Sequence, residues 1–290
     1  MVTGSYDNMV HLWDLTNGVL LKKMEGHGSS VWAVAVTRDG KLIASGDDTG
    51  QLIVWHGDTG ELLIQAVKVH SARIRSLDFS PDGALLATGS SDKTAELWST
   101  ETWKVQGNPI NCGGIIYCIR FSPSGEHLAI STYSDKDILI YDVRTRECIA
   151  NLKTASYPAV AYSLAWMPDG TRLFSGGPAS DPNIREWDTS TWKQVGDAWT
   201  GHAHTINVLA VNPNATFIVS GSDDSIVRLW RLSDRQTIAI FKATHEMYCG
   251  VFSMDGKRIL GGGRNMMIKE WAVPENALLE DITKEQVSFH

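Results

Sequence analysis

Short runs of alternating apolar and polar residues recur along the whole chain, and each run ends in a tryptophan or a tyrosine. These aromatic residues are Trp13, Trp55, Trp98, Tyr141, Trp187, Trp230 and Trp271, at intervals of 42, 43, 43, 46, 43 and 41 residues. Apolar alternation with a period of two is typical of β-strands. The pattern therefore predicts a repeated unit of short strands that forms an array of small antiparallel sheets.

A second series of signals lies between the aromatic residues. It consists of the turns TRDG, SPDG, SPSG, MPDG, NPNA and SMDG, which end at Gly40, Gly83, Gly125, Gly170, Ala215 and Gly256. Proline fixes φ and glycine accepts a positive φ, so such tetrapeptides favour tight reversals. Apolar alternation flanks each turn, as in IRSLDF before SPDG and ALLATGS after it, which predicts hairpins. Before the last 17 residues no segment shows a convincing helical period.

The repeats follow one succession of motifs to differing extents. In its full form a Gly-His pair precedes an inner strand, an S-P-D-G turn, a second strand that ends in Gly-Ser-x-Asp, and a third strand that ends in Trp-Asp. Residues 201–230, GHAHTINVLAVNPNATFIVSGSDDSIVRLW, follow this pattern nearly throughout. The sequence resembles WD-repeat β-propellers over almost the whole chain. The resemblance implies an all-β fold, a seven-bladed β-propeller of four-stranded antiparallel blades that occupies residues 1–290 as a single domain.

In that family a hydrogen-bonded relay crosses each blade and satisfies the buried tryptophan N–H. The resemblance implies complete relays in blades three and six, formed by His70, Ser90, Asp92, Trp98, His202, Ser222, Asp224 and Trp230. The other blades depart from the pattern: Asp47 and Thr49 stand at the Ser and Asp positions of blade two, Cys112 and Asp135 occur in blade four, Tyr157 in blade five and Asn265 in blade seven. The His-Ser-Asp sets resemble a hydrolase triad only in composition, because the serine is held at the blade edge.

The inner strand of blade one is not supplied by the sequence. Inner strands occur six times, as VWAVAV, IRSLDF, IYCIRF, AYSLAW, INVLAV and MYCGVF, although a ring of seven blades needs seven. Residues 274–290 are either a closing strand, through Val287 and Phe289, or a capping tail, and Ala277 to Ile282 is a candidate last outer strand. The alternative that the sequence favours is that the chain is a piece of a longer protein.

Composition narrows the classes of function. The net charge is −7, with 43% apolar residues, and a mildly acidic protein lacks the basic face that nucleic acids require. The four cysteines form no C-x-x-C pair, which argues against a zinc site. Neither a signal peptide nor an apolar stretch of roughly 18 residues is apparent. The sequence predicts no cofactor, no nucleic-acid partner, no membrane insertion, and a cytoplasmic location, with the nucleus as an alternative.

Groups with catalytic potential are sparse. Asp78 and Arg120 lie on predicted inner strands, where a structural ion pair is the simpler interpretation. The run Gly261 to Gly263 lacks the strand–loop–helix setting of a phosphate loop. The prediction is therefore that the protein is not an enzyme, and an enzyme that uses the central channel is the least supported alternative.

One stripe of residues favours a binding surface instead. The second residue of each inner strand, with two neighbouring arginines, gives the candidate interaction rim Trp32, Arg73, Arg75, Tyr117, Tyr162, Asn207, Tyr248 and Arg264. The resemblance implies that these residues surround one mouth of the channel, the top face, and aromatic residues and arginine are typical of interaction hot spots. The alternative is that the aromatic side chains fill seams between blades.

The sequence predicts a non-catalytic scaffold that binds other proteins or peptides. The alternative function is that of a partner- or ligand-sensing propeller at the C-terminal end of a larger signalling protein.

Overall fold

The computed structural model describes residues 1–15, 17–134, 138–153, 161–264 and 267–274. These residues form 26 β-strands in seven antiparallel sheets, and they include no helix. The predicted all-β class and the seven-bladed β-propeller are confirmed. The chain divides into two compact units, Met1–Ala161 and Tyr162–His290, which are described in turn. Whether residues 1–290 act as a single domain stays a prediction.

The first unit contains sheets 1 to 4. Sheet 1 has three strands, β1 (Val2–Gly4), β2 (Val10–Asp14) and β3 (Val19–Met24). Sheet 2 is β4 (Val31–Val36), β5 (Leu42–Asp47), β6 (Gln51–His56) and β7 (Leu62–Lys68). Sheet 3 is β8 (Ile74–Phe79), β9 (Leu85–Ser90), β10 (Thr94–Ser99) and β11 (Ile110–Asn111). Sheet 4 is β12 (Ile115–Phe121), β13 (His127–Tyr133), β14 (Ile138–Asp142) and β15 (Cys148–Leu152).

The second unit contains sheets 5 to 7. Sheet 5 is β16 (Ser163–Trp166), β17 (Arg172–Gly176), β18 (Ile184–Asp188) and β19 (Lys193–Gln194). Sheet 6 is β20 (Ile206–Val211), β21 (Phe217–Ser222), β22 (Ile226–Arg231) and β23 (Thr237–Lys242). Sheet 7 has three described strands, β24 (Met247–Phe252), β25 (Arg258–Gly263) and β26 (Ile268–Ala272).

Sheet 1 corresponds to the second, third and fourth strands of a blade. Within the described part of the chain, β1 pairs only with β2, through Val2 opposite Leu12 and Gly4 opposite Val10. The predicted inner strand of blade one is thus not among the described residues. The predicted closing or capping tail and the candidate outer strand at 277–282 lie outside those residues, apart from Pro274.

The apolar core lies between neighbouring sheets, and not within any one sheet. Val10 and Met24 of sheet 1 pack with Ile43, Ile53 and Trp55 of sheet 2. The same arrangement recurs in the second unit, between the facing strands of sheets 6 and 7. The second strand of each four-stranded sheet is consequently covered on both faces, and β21 is buried along its whole length. A single sheet with this composition could not bury its own apolar faces, so stacking of sheets is the source of stability.

The close approach of successive sheets requires glycine at Gly50, in the turn after β5. Gly50 has a φ of +90°, and a side chain there would collide with the carbonyl oxygens of His70 and Ala72 in the loop that enters sheet 3. The carbonyl oxygen of Gly50 also accepts hydrogen bonds from the N–H groups of Val69 and His70, at 3.0 and 3.2 Å. The turn of one sheet therefore anchors the entry loop of the next.

We predict that Gly50→Ala lowers the free energy of unfolding by about 3 kcal/mol or more, because the new methyl group meets fixed backbone atoms. The matched control is Gly40→Ala in the same sheet. Gly40 also has a positive φ, +74°, but no atom lies within 4 Å of the added carbon, so the cost should be only about 1 kcal/mol. Urea-unfolding curves measure both variants, and equal losses would contradict the anchoring role of Gly50.

Candidate functional site

A buried hydrogen-bonded network connects the third strand, the second strand and the entry loop of sheet 6. The indole N–H of Trp230 donates to the Ser220 hydroxyl at 2.8 Å, and that hydroxyl lies 2.7 Å from Nε2 of His202. Nδ1 of His202 lies 2.8 Å from the Asp224 carboxylate. These contacts are mutually satisfied when Ser220 donates to Nε2 and His202 carries its proton on Nδ1, facing Asp224.

The structure places the linking hydroxyl two residues before the position expected from the sequence. Ser222 does not join His202 to Trp230: its hydroxyl donates to the His204 carbonyl oxygen at 3.0 Å and accepts the Asp224 N–H at 3.1 Å. Ser90 does the same in sheet 3, where it donates to the Ala72 carbonyl oxygen and accepts the Asp92 N–H. Both serines therefore shape the turn, and the hydroxyl next to the histidine is ten residues before the tryptophan.

Sheet 2 has a complete network, although its sequence departs from the pattern. His27 lies 2.7 Å from the Ser45 hydroxyl and 3.1 Å from the Asp47 carboxylate, and the Trp55 N–H donates to Ser45 at 2.8 Å. The expectation of a degraded relay in this blade is corrected. Asp47, at the end of β5, supplies the carboxylate, two residues before the position expected for the aspartate. The other oxygen of this carboxylate accepts the N–H of Thr49, the residue at the expected position, at 2.9 Å.

Sheet 3 has an incomplete network. His70 lies 2.7 Å from the Thr88 hydroxyl and 3.0 Å from the Asp92 carboxylate. The buried N–H of Trp98, however, has no hydrogen-bond partner. Trp98 is thus one of the regularly spaced aromatic residues, but it does not join the network that the sequence predicted for it.

Sheets 1 and 5 keep parts of the network. Trp13 donates to Thr3 at 2.9 Å, and Trp187 donates to Ser175 at 2.9 Å. In sheet 5 Arg185 pairs with Asp181 at 2.5 Å, and both side chains are largely buried. The predicted departures at Asp135, Tyr157 and Asn265 fall on residues outside the described ranges.

The electrostatics of the networks favour neutral histidine and ionised aspartate. Burial lowers the pKa of His70, and the nearby Asp92 only partly offsets this effect. Burial alone would raise the pKa of Asp224, but hydrogen bonds from His202 and from the Ala203 N–H outweigh it and hold that pKa below its usual range. Ser220 is fully buried and already occupied by His202 and Trp230. Its hydroxyl is held between these two side chains, so the network joins the strands of the blade to its entry loop.

The rim residues are presented by a recurring irregularity of the inner strands. In β4, β8, β12, β20 and β24 the pairing with the second strand skips one residue, which is the third residue of β12 and the second residue of the other four. The skipped residues are Trp32, Arg75, Tyr117, Asn207 and Tyr248. A β-bulge leaves one residue unpaired and redirects its side chain, so the bulges set the direction of these rim side chains. Tyr162 precedes β16, and its N–H donates to the Gly176 carbonyl oxygen at 3.1 Å.

In the first unit the rim side chains are in contact with one another from sheet to sheet. The edge of the Tyr6 ring meets the Trp32 ring with centroids 5.2 Å apart, and the Arg73 guanidinium lies 3.7 Å above the same indole. Arg73 also forms an ion pair with Asp48. Tyr6 and Trp32 remain 47% and 38% exposed. This group, which we call the aromatic–arginine cluster, joins sheets 1, 2 and 3.

The cluster has a second part between sheets 3 and 4. Nε of Arg75 donates to the Ser91 hydroxyl at 2.6 Å, and its guanidinium lies 4.5 Å from the centroid of the Tyr117 ring. Arg75 and Ser91 hold the same positions in their sheet as Asn207 and Asp223 hold in sheet 6. The bulged residue is therefore fixed by the residue that precedes the turn aspartate.

In the second unit the rim is more polar. Asn207 donates to the Asp223 carboxylate at 2.6 Å and to the Met247 carbonyl oxygen at 3.0 Å, and His204 lies 3.3 Å from Asp223. Arg264 pairs with Glu246 at 3.2 Å. Tyr248 is 44% exposed.

Sequence reasoning did not identify Asp48 or Glu246 as partners of the rim arginines. Asp48 follows the last residue of β5, and Glu246 directly precedes β24. A carboxylate at such a position carries no distinctive sequence signal, because acidic residues are common in turns for other reasons. The bulges that bring the partners together are likewise absent from the apolar pattern.

Asp78 and Arg120 connect neighbouring inner strands. Asp78 accepts the N–H of Phe121 at 2.7 Å, and Nη1 of Arg120 donates to the Ser76 hydroxyl at 3.2 Å. Burial raises the pKa of Asp78 to about 6, and the charge of Arg120 partly offsets the increase. The contacts tie β8 to β12. Within the described ranges no group of three or more His, Cys, Asp or Glu side chains is arranged to hold a metal ion.

The seven antiparallel sheets and the Trp–hydroxyl–His–Asp networks define a repeat β-propeller. Residues 18–56, 62–99, 103–142, 146–188 and 193–231 match the family described as WD domain, G-beta repeat. These segments make up more than half of the chain. The chain belongs to the WD40 repeat family.

Similar proteins have varied names. Autophagy-related protein 16 of Arabidopsis thaliana is 22% identical over 280 residues, which cover 93% of this chain and 53% of that protein. The guanine nucleotide-binding protein subunit beta of Arabidopsis thaliana is 22% identical over 267 residues, 85% of this chain and 69% of that protein. Small ribosomal subunit protein RACK1y of Oryza sativa subsp. japonica is 28% identical over 195 residues, 66% of this chain and 44% of that protein. The chain thus spans about half the length of the first of these relatives.

Among the residues that the structure describes, there is no helix with the length and apolar character needed to span a membrane.

We predict that Ser220→Ala lowers the free energy of unfolding by about 2–4 kcal/mol, because it leaves both the Trp230 N–H and a nitrogen of His202 without a partner. Thr88→Val is the matched variant in sheet 3. It leaves only His70 without its hydroxyl partner, since the Trp98 N–H has no partner to lose. The loss of unfolding free energy should be about 1–2 kcal/mol. Chemical unfolding of the two variants gives the comparison, and a larger loss for Thr88→Val would refute this assignment.

Glu96 lies on β10, near the carboxylate of Asp92. Burial raises the pKa of Glu96 to about 7, and the negative charge of Asp92 adds to the increase. The folded protein thus holds the Glu96 proton more tightly than the unfolded chain, where the ordinary pKa is 4.5. Ionised Glu96 consequently destabilises the folded state above pH 7, and the penalty diminishes as the pH falls towards 4.5.

We predict that Glu96→Gln stabilises the protein at pH 8 by on the order of 1 kcal/mol and has little effect at pH 5. Thermal unfolding at the two pH values provides the measurement. Glu101→Gln, at an exposed carboxylate of the following turn, is the control for the loss of one negative charge. The same increase at both pH values would be inconsistent with the raised pKa of Glu96.

Proposed function

We propose that the protein is a non-catalytic interaction scaffold and that the aromatic–arginine cluster of its first unit binds a partner protein or peptide. The observation that carries the proposal is the series of bulges, which turn Trp32, Arg75 and Tyr117 out of the regular pairing. Bulges are typical of places where a strand must redirect a side chain for function. Trp32 would gain nothing from a bulge if its role were only to fill a seam.

The chemistry of the cluster suits recognition of a polypeptide. Tyr6 and Trp32 offer exposed apolar rings, and Arg73 is held over the indole by stacking and by its ion pair with Asp48. Such a fixed arginine loses little conformational entropy on binding, and aromatic residues with arginine account for much of the energy of known interfaces. The polar rim of the second unit, from Tyr162 to Arg264, is proposed as a binding surface of that unit.

A non-catalytic role is supported by the state of the groups that could act in catalysis. Ser220 and His202 are consumed by the buried network, and Asp78 is held by the Phe121 N–H. The partner, and a cytoplasmic or nuclear location, stay predictions of the sequence.

We predict that Trp32→Ala combined with Arg73→Ala removes partner capture but changes the melting temperature by only a few degrees, because the cluster lies at the surface. Tyr117→Ala should weaken the same capture. Quantitative mass spectrometry of proteins cross-linked to the wild type and to the variants in cells measures the effect. The expected result is one set of partners that is lost together from the cluster variants.

The matched control is Leu21→Ala, which removes an apolar side chain that is 61% exposed on β3, away from the cluster. It should retain the full set of partners. Retention of every partner by the cluster variants, or equal loss in Leu21→Ala, would refute the proposal. Extensive unfolding of the cluster variants would show that these side chains serve the fold instead.

A further inference from the structure

A left-handed residue recurs in the turn between the third and fourth strands. It stands five positions after the repeat aromatic residue in six sheets, as Gly18, Gly60, Trp103, Arg146, Trp192 and Arg235, with φ between 52° and 65°. In sheets 4 and 6 the arginine at this position packs on the preceding sheet, against a glycine that follows its third strand. We call the line of contact the outer seam.

Two outer seams contain an arginine over a glycine. In the second unit Arg235 of sheet 6 covers Gly196, which stands nine residues after Trp187. In the first unit Arg146 of sheet 4 covers Gly107, which stands nine residues after Trp98. In both cases a side chain on the glycine would collide with the guanidinium. The two arginines are therefore held in the same way by equivalent parts of the repeat.

Arg235 has a carboxylate partner from its own chain. Its guanidinium donates to Glu186 at 2.9 Å and to the Val195 carbonyl oxygen at 3.2 Å. Glu186 directly precedes Trp187 on β18 and is only 13% exposed. The outer seam between sheets 5 and 6 is thus a carboxylate site that the protein fills itself.

Arg146 lacks such a partner. The residue equivalent to Glu186 is Leu97, which is buried and apolar, and within the described ranges no carboxylate forms an ion pair with Arg146. The guanidinium instead borders a shallow, open depression of about 570 Å³ that Asn108, Asn111 and Tyr141 also line. A buried or partly buried guanidinium is most stable with a carboxylate in its plane.

We propose that this depression binds a carboxylate of a partner polypeptide, an Asp or Glu side chain or a chain end, in the place that Glu186 takes beside Arg235. The side-chain amides of Asn108 and Asn111 are at hand as additional donors, and Pro109 and Ile110 offer apolar contact beside the charge. Arg146 is the only cation of the lining, which suits a singly charged carboxylate better than a phosphate dianion. The site shares no residue with the aromatic–arginine cluster and does not depend on the function proposed for it.

The test is an NMR titration of the full chain that follows the Nε–Hε resonances of its arginines. The probe is a blocked Gly-Glu-Gly peptide, and the matched control is blocked Gly-Gln-Gly. The expected result is a saturable shift of Arg146 with the glutamate peptide alone, while Arg235 and the exposed Arg144 stay unchanged. Arg146→Gln should abolish saturable binding of the peptide, measured at the neighbouring Asn108 and Asn111 amides.

A second variant tests the comparison on which the site rests. Glu186→Gln removes the internal carboxylate, so Arg235 should then respond to the glutamate peptide as Arg146 does. The proposal is overturned if Arg146 does not respond, if both peptides shift it equally, if only inorganic phosphate does so, or if Arg235 stays silent in Glu186→Gln. Loss of partner capture by the cluster variants with an unchanged Arg146 response would separate this site from the proposed scaffold surface.

Discussion

In sheets 2 and 6 the buried hydrogen bond between the repeat tryptophan and a strand hydroxyl is the interaction on which the rest of the blade depends. Stacking of sheets buries the indole N–H, and an unpaired N–H there is costly. In sheet 6 the Ser220 hydroxyl accepts the Trp230 N–H and in turn contacts His202. The Asp224 carboxylate contacts the other ring nitrogen of His202 and accepts the N–H of Ala203. One polar chain thereby joins the third strand, the second strand and the loop from the preceding sheet. The position from which the inner strand starts is settled by the same contacts.

In sheets 2, 3 and 6 that starting position accounts for the bulge. The loop is fixed by the histidine and the aspartate, and the apolar residue that opens the strand must reach the preceding sheet, as Ile206 reaches Gly176. The residues after the bulge must again pair regularly with the second strand. One residue is left over between these two constraints, and it lies outside the regular pairing with the second strand. The geometry imposed by the buried network therefore also creates a surface position at which the residue type can vary, from Trp32 to Arg75 to Asn207.

The sequence predicted the sheets well, because period-two alternation and turn chemistry act locally. The inner strands β4, β8, β20 and β24 begin and end where their apolar patterns do. The linking hydroxyl was assigned wrongly by two residues for a physical reason: Thr88 and Ser90 alternate onto the same face of β9, and spacing alone does not decide which one meets the histidine. Asp47 was missed as a relay member because a carboxylate at the strand end reaches the same histidine as one in the turn. The bulges, and with them the contacts of Arg73 and Arg75, depend on register, which the apolar pattern does not contain.

Variation within one scaffold separates structure from function more clearly than the pattern that is shared. Few types of side chain suit the positions that face the buried network, since each must form a hydrogen bond or an ion pair with a buried group. Even where histidine is missing, Asp181 receives Arg185 as a substitute within its own sheet. Positions on the bulges and at the outer seams meet no such demand, and there the repeats differ freely. Arg235 and Arg146 occupy equivalent sites, and within the described part of the chain only the first is paired with a carboxylate. Folding accounts for Glu186 beside Arg235, but it does not account for the open side of Arg146. Such differences between equivalent positions of the repeat indicate where a partner binds.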